Sequence, residues 1–329
     1  MQDKFRLVTR SDFDGLIAAL LLKELDLIND IKFVHPKDVQ DGLIDIQAGD
    51  IVTNLPYDKN AAYVFDHHIS ELARVGKRSN HFLNPNSPSA SRVIWDAFGG
   101  KETFKNVSEE MMAAVDKADS ANFTREDILN PTGWTLLNFI MDARTGLGRY
   151  NHFRISNYQL MMNLIDFCRL GDPEDIFMLP DVKERVDFYF ENQERFKEQL
   201  KRQTKIYKNL AYVDMLNDEE QYPGNRFMVY VLFPEVNISM HALWRINGER
   251  ILYAVGKSIF NRTNIVNIGE LLLQYGGGGH ATAGTCQTGL EDAVRVREEL
   301  IALLTDDKYT VAAPETTAES DAAPEKTLN

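Results

Sequence analysis

Hydrophobic positions early in the chain form short blocks closed by polar residues. Residues 5–9 are β-prone, 10–15 are polar with a glycine, and 16–25 are continuously helix-favouring, which predicts a strand, a turn and a helix. Further apolar runs at 31–34, 50–53 and 61–65 each end in polar residues, as buried parallel strands do when their carboxyl ends gather a site. Helices are predicted over 89–98, 108–119 and 135–143, the first two opening at serines suited to N-capping. From 180 to 209 the chain is highly charged, with Val182, Val186, Tyr189, Phe190, Gln193, Phe196 and Leu200 at helical spacing, which predicts a connecting helix. Beyond it, β-prone segments at 227–233 and 251–255 precede helices near 268–274 and 290–304.

The pattern predicts an α/β protein of two domains: a parallel-sheet domain over 1–180, a linker helix over 181–209 and a smaller mixed-sheet domain over 210–305. From Asp306 the chain is rich in Ala, Pro, Glu and Thr, and 306–329 is expected to be disordered.

Composition narrows the function classes. With 329 residues, 44% hydrophobic and 26% charged, the chain can bury the cores of two domains. The apolar run 16–22 is too short to span a bilayer and no basic–apolar leader opens the sequence, so a cytoplasmic protein without membrane attachment is expected. Cys168 and Cys286 are too few for a disulfide framework or a Cys-rich zinc site. A net charge of −13 excludes a protein that coats long duplex nucleic acid, because such binding requires many Lys and Arg on phosphates. A small anion remains compatible, since a cation or a local Arg and His cluster can reverse the field inside a cleft.

Three polar constellations carry the candidate chemistry. Asp12-Phe13-Asp14-Gly15 follows the first strand, where both carboxylates can reach a divalent cation; read alone, it is equally an Asx-turn and helix cap. Asp66-His67-His68 follows the β-prone run 61–65 and adds acidic and imidazole donors at the same sheet edge, a set that suits Mn²⁺ or a similar ion. The run Gly276-Gly277-Gly278-Gly279-His280 lets backbone N–H groups approach an anion, and its helix-prone and small-residue flanks suggest close packing.

In order and spacing these motifs resemble the DHH/DHHA1 phosphoesterases, a family that includes RecJ-like exonucleases, nanoRNA and pAp phosphatases, cyclic dinucleotide phosphodiesterases and exopolyphosphatase-related proteins. The resemblance covers nearly all of residues 5–305. It implies a divalent-metal centre, usually Mn²⁺ with Mg²⁺ or another ion as alternatives, on a DHH domain, and a DHHA1 domain that binds substrate. Asp12, Asp14, Asp66 and His67 carry over as metal-site residues, joined by Asp116 or Asp119, both offered by the segment 114–120. His68 is implied to orient or protonate the attacked phosphate, and His280, Gly277, Gly278, Gly279 and Arg262 to hold the substrate. Two departures leave one or two ions open. Arg10 stands where many relatives carry a histidine ligand, and Asn54 occupies the second motif, where a bridging Asp is usual; a neutral amide is the weaker ligand.

The resemblance implies hydrolysis of a phosphoester or phosphoanhydride bond in a small phosphorylated substrate: a dinucleotide, a short single-stranded oligonucleotide, a pAp-like nucleotide or polyphosphate. A homodimer is an expectation. The rival class is a nucleotide-binding regulator that has lost turnover through Arg10 and Asn54.

Overall fold

The computed structural model describes residues 4–245 and 248–312. Their contacts divide the chain into two compact units. One runs to Arg202 and takes back the segment Asp218–Leu232; the other comprises Gln203–Asn217 and the chain from Phe233 onward.

The first unit opens with β1 (Phe5–Arg10), α1 (Phe13–Glu24), β2 (Ile28–Val34), α2 (Pro36–Gln40), β3 (Asp50–Thr53), β4 (Tyr63–Asp66), α3 (Ile69–Val75) and β5 (His81–Leu83). The five strands form one sheet in the order β2-β1-β3-β4-β5, parallel at every pairing. Helices follow as α4 (Ala90–Ala97), α5 (Glu109–Asp119), α6 (Arg125–Leu129), α7 (Gly133–Met141), α8 (Asn157–Leu170), α9 (Pro173–Phe177) and α10 (Pro180–Gln203). Every residue from Phe13 to Leu22 is buried, so α1 is enclosed on all sides and forms the centre of the core, packed with Ile94, Met111, Val115, Leu137 and Leu164. Each such side chain contributes roughly 1.5–3 kcal/mol by leaving water, which fixes α1 and the turn before it firmly.

The second unit begins with the antiparallel pair β6 (Thr204–Tyr207) and β7 (Leu210–Asp214). After the chain has visited the first unit as α11 (Met228–Leu232), it continues through β8 (Ile238–Trp244), β9 (Arg250–Lys257), α12 (Ile268–Leu273), β10 (Gly278–Gly279), β11 (Ala283–Gly289) and α13 (Ala293–Leu304). Its mixed sheet has the order β10-β11-β9-β8-β7-β6.

Three expectations are corrected. The connecting helix stops at Gln203, because Thr204-Lys205-Ile206-Tyr207 is β-branched and aromatic and pairs back on β7 through a turn with Lys208 at φ +50°. Segment 227–233 is not a strand but the short helix α11. Asn225 starts it, its Oδ1 accepting from Phe227 N at 2.8 Å and its carbonyl from Met228 N at 3.0 Å. A short apolar run carries no period of its own, so the sequence does not separate strand from helix here. Finally, order continues past Asp306: a 3₁₀ turn covers Asp307–Tyr309, Ile265 N donates to the Tyr309 carbonyl and Val311 N to that of Thr263. The remainder of the expected disordered tail, 313–329, lies outside the described residues. Among the described residues no helix is long and apolar enough to cross a membrane.

Candidate active site

Parallel register brings the motifs together. Thr9 lies opposite Thr53 and Thr53 opposite Phe65, so the residues just past them, Arg10, Asn54 and Asp66, emerge side by side at the carboxyl edge of β1, β3 and β4. Thr53 Oγ1 donates to Thr9 Oγ1 at 2.6 Å, a buried clasp that ties two of these ends together. The first motif is both turn and ligand loop: Asp12 is the N-cap of α1 and accepts from Gly15 N at 3.0 Å. Gly15 is required here, since a Cβ would stand 2.0 Å from the Arg10 carbonyl oxygen.

Asp14, His67 and Asp119 bring ligand atoms within 4.8 Å of one another, as do Asp66, His67 and His68. The Asp14 carboxylate sits at the N-terminus of α4, accepting from Ala90 N at 3.0 Å and Ser91 N at 2.7 Å. His67 Nδ1 faces the Ser87 carbonyl at 3.2 Å, which leaves Nε2 2.8 Å from Asp119 Oδ2. His68 Nδ1 contacts Asp66 Oδ1 at 2.7 Å. Between the two acids of α5 the structure brings Asp119 to the cluster. Asp116 instead takes Ser89 Oγ at 2.8 Å and the Arg92 guanidinium at 2.6 and 2.9 Å. Asp12 is diverted too: its Oδ2 lies 2.8 Å from Arg10 Nε, outside the ligand cluster.

The electrostatics are those of a buried carboxylate cluster partly offset by Arg10, Arg144 and His67. Burial raises Asp14, and its neighbours Asp119 and Asp12 raise it further. Burial works against the charged form of His67, but Asp119, Asp14 and Asp66 outweigh it and lift the imidazole to about 9. Burial likewise opposes ionisation of Asp119, yet contact with His67 holds it below the usual carboxylate range. The residues fit a hard divalent cation, because carboxylate oxygens and an imidazole nitrogen converge where like charges oppose one another. Buried polar atoms without hydrogen-bond partners at the same edge, Asp66 Oδ2 and both side-chain atoms of Asn54, point the same way. Asn54 is 2% exposed and holds a left-handed backbone, φ +53°.

Sequence reasoning missed a group on the far side of Asp119. Asp142 and Arg144 follow α7 and are paired, Arg144 Nε lying 2.8 Å from Asp142 Oδ1. Burial raises Asp142, but Arg144 and Arg226 overcome that and bring it down to about 2. Together with Ala118, Phe123, Asn138, Asn225 and Phe227 they line one cavity of the first unit. The Asp-Ala-Arg after an apolar helix was a usable signal for Arg144; Arg226 had none, because its segment read as part of the other domain.

The second unit holds the remaining candidates. Gly276 N, Gly277 N and His280 N donate to the carbonyls of Leu273, Leu272 and Ala283. These three N–H groups are engaged within the protein. The glycines answer to packing: a Cβ on Gly277 would stand 2.2 Å from the Thr285 carbonyl oxygen and one on Gly279, at φ +151°, 2.3 Å from that of Ala283. Gly278 pairs with Thr285 in the β10–β11 ladder. His280 is exposed at the end of this hairpin, and Arg262 is exposed, with Nε on the Ile259 carbonyl at 3.0 Å. Both cysteines are buried free thiols, and burial pushes Cys286 up to about 11, which disfavours a thiolate nucleophile.

No protein-family model and no curated protein matches the chain. Among solved structures it is similar to the pGpG-specific phosphodiesterase PggH from Vibrio cholerae, at 56% identity over 92% of this chain and 99% of that one, with a TM-score of 0.78. CDC45 from Entamoeba histolytica, at 9% identity over 92% and 95% of the two chains and a TM-score of 0.51, shares the fold alone. RecJ from Thermus thermophilus, solved with Mn²⁺, matches at 14% identity over 92% of this chain and 52% of that one, with a TM-score of 0.48. A parallel sheet whose edge gathers Asp12-Phe13-Asp14 and Asp66-His67-His68, in a chain this similar to a phosphodiesterase, has one reading: the protein belongs to the DHH/DHHA1 phosphoesterase family and is a DHH-type phosphodiesterase.

Proposed function

We propose that the protein hydrolyses the phosphodiester bond of linear dinucleotide 5′-phosphates, pGpG foremost, releasing mononucleotides. The observation that carries this reading is the 56% identity to a pGpG-specific phosphodiesterase along nearly the whole of both chains. The ligand set of the first unit supports it. Asp14, His67 and Asp119 would hold a divalent cation, Mn²⁺ or Mg²⁺, with Asp66 beside them. When bound, such an ion acidifies a water and offsets charge on the phosphoryl oxygens.

The chain's own residues do the rest. The Ser87 carbonyl engages Nδ1 of His67 and leaves Nε2, a buried atom without a hydrogen-bond partner, facing the Asp119 carboxylate as an ion ligand would. Asp66 holds His68 through Nδ1, so the ring is set rigidly at the edge where it can orient or protonate a phosphoryl oxygen. The Asp14 carboxylate is pinned by two N–H groups of α4 and loses little freedom on binding an ion. Arg10, paired with Asp12, brings a cation to the place where an attacked phosphate needs one. That pair, with amide Asn54 between Arg10 and Asp66, supports a site that holds one ion tightly. Gly277, Gly278, Gly279, His280 and Arg262 of the second unit are proposed to bind the remainder of the substrate.

Assaying the purified protein with Mn²⁺ or Mg²⁺ against pGpG, pApA, pAp, longer oligonucleotides and polyphosphate tests the proposal. pGpG is expected to be cleaved with the highest kcat/KM, and turnover is expected to vanish with EDTA. Faster cleavage of pAp or polyphosphate, or metal-independent turnover, would refute it.

A further inference from the structure

We infer that Arg144, Arg226 and Asn225 form a second anion subsite, beside the carboxylate and imidazole cluster, that takes the terminal 5′-phosphate of the substrate and so selects phosphorylated dinucleotides. The inference rests on the dinucleotide reading above.

The cavity that these residues line adjoins the cluster through its wall residue Ala118, the neighbour of Asp119 on α5. Its other walls are Asn138, Phe139, Asp142 and Thr145 at the end of α7, and Phe123 and Phe227, whose ring centroids stand 5.8 Å apart. The segment that brings Asn225 and Arg226 here is firmly held. Gly224 N donates to the Thr145 carbonyl at 3.0 Å, and Gln199 accepts from Tyr222 N while donating to Asp218 and the Glu220 carbonyl. A Cβ on Gly224 would stand 2.0 Å from the Phe196 ring, so the strap lies flat against α10.

The donors in this cavity are not used up. Asn225 is 2% exposed; its Oδ1 is taken by Phe227 N, but its Nδ2 has no hydrogen-bond partner. Arg226 Nε is buried without one too, while its guanidinium rests on the Phe227 ring at 4.3 Å. A buried amide donor and a buried guanidinium Nε without partners cost free energy that a ligand acceptor would recover. The charge count also asks for an anion. Asp142 is hydrogen-bonded to Arg144 and is the single carboxylate of the cavity wall, so it faces two guanidiniums, Arg144 and Arg226, and the wall carries one positive charge in excess. Burial, with Arg144 close by, lowers the Arg226 pKa to about 9. Guanidinium and amide donors of this kind suit the oxygens of a phosphate, which accept in several directions at once.

The test compares pGpG with GpG, which lacks the terminal phosphate, in wild type, Arg226→Gln and Asn225→Asp. The Asp variant keeps the oxygen that Phe227 N needs, while it removes the spare donor and adds a negative charge that would repel a phosphate, so it guards against misfolding of the Arg226 variant. The kcat/KM preference for pGpG over GpG is expected to fall on the order of 10- to 100-fold in each variant, chiefly through KM. Calorimetric titration of the chelator-treated full chain with inorganic phosphate is expected to show binding that Arg226→Gln removes. This second arm stands even if pGpG is not the substrate, so failure of the subsite and failure of the dinucleotide reading are distinguishable. Equal losses on pGpG and GpG, a fall in the preference for guanine over adenine instead, or phosphate binding unchanged in Arg226→Gln would overturn the subsite.

Discussion

His67 Nε2 stands 2.8 Å from Asp119 Oδ2, joining the end of β4 to the end of α5 across the mouth of the sheet. Neither residue lies in the apolar core, so their union serves the site more than the fold. His67→Ala is therefore expected to lose bound metal and at least about 100-fold in kcat, while keeping a native circular-dichroism spectrum and a cooperative melt. Metal content per chain and single-turnover rates check this, and unchanged turnover would remove His67 from the ligand set.

Asp116 and Asp119 occupy neighbouring faces of one helix but meet different partners, which makes them a controlled pair. Asp116→Asn breaks a bidentate contact to Arg92 and the bond from Ser89, both around the start of α4, and is expected to cost about 1–2 kcal/mol of stability. Since α4 also holds Asp14, a modest weakening of metal affinity should accompany it. Asp119→Asn should reverse the balance, with metal affinity lost and stability nearly kept. Melting curves of the chelated variants and metal titrations separate the two effects; an Asp116→Asn variant that is stable but metal-free would exchange their roles.

How far the sequence discloses this site depends on how local each relationship is. Asp12, Asp14, Asp66 and His67 lie within strand–turn segments, so motif spacing alone predicted their meeting at one sheet edge. The choice between Asp116 and Asp119 needed the packing of α5 on α4, because three residues on a helix differ by a rotation that only a neighbour can fix. Arg226 was out of reach for a different reason. Its segment leaves the second half of the chain and returns to the first unit, held by Gln199, Thr145 and Phe196. Nothing in an apolar stretch such as Phe227-Met228-Val229-Tyr230 reports which core it will join.

Asp142 provides a pH signature. Its folded-state pKa, held down to about 2 against burial by Arg144 and Arg226, is below that of an unfolded aspartate. A depressed carboxylate contributes stability that is fully present above the unfolded value near 4 and disappears as the pH falls toward 2. With Asp142 14% exposed but Arg144 43% exposed, screening reduces the contribution to roughly 1–2 kcal/mol. Asp142→Asn should lose that amount at pH 7 and much less at pH 2, where the carboxyl is already about half protonated in the folded chain, which urea unfolding at the two pH values would reveal. An equal deficit at both would assign the loss to packing.

The pairing of Arg10 with Asp12 leads to the last prediction, on metal stoichiometry. Arg10 Nε lies 2.8 Å from Asp12 Oδ2, so a carboxylate that could serve an ion is engaged by a guanidinium. One strand over, Asn54 is buried with both side-chain polar atoms unpartnered and brings no charge to bridge a pair of cations. Both features act in one direction, since each lowers affinity for an ion on the Asp12 side while leaving Asp14, His67 and Asp119 together. Wild type is thus expected to hold close to one ion per chain after dialysis. Arg10→Ala should release Asp12 but remove a positive charge near the attacked phosphate, so turnover should slow by about 10-fold or more. The double change Arg10→His with Asn54→Asp supplies an imidazole and a bridging carboxylate, and should raise the content to two ions. Elemental analysis of the three proteins beside their rates on pGpG decides the matter, and two tightly bound ions in the wild type would rule the idea out.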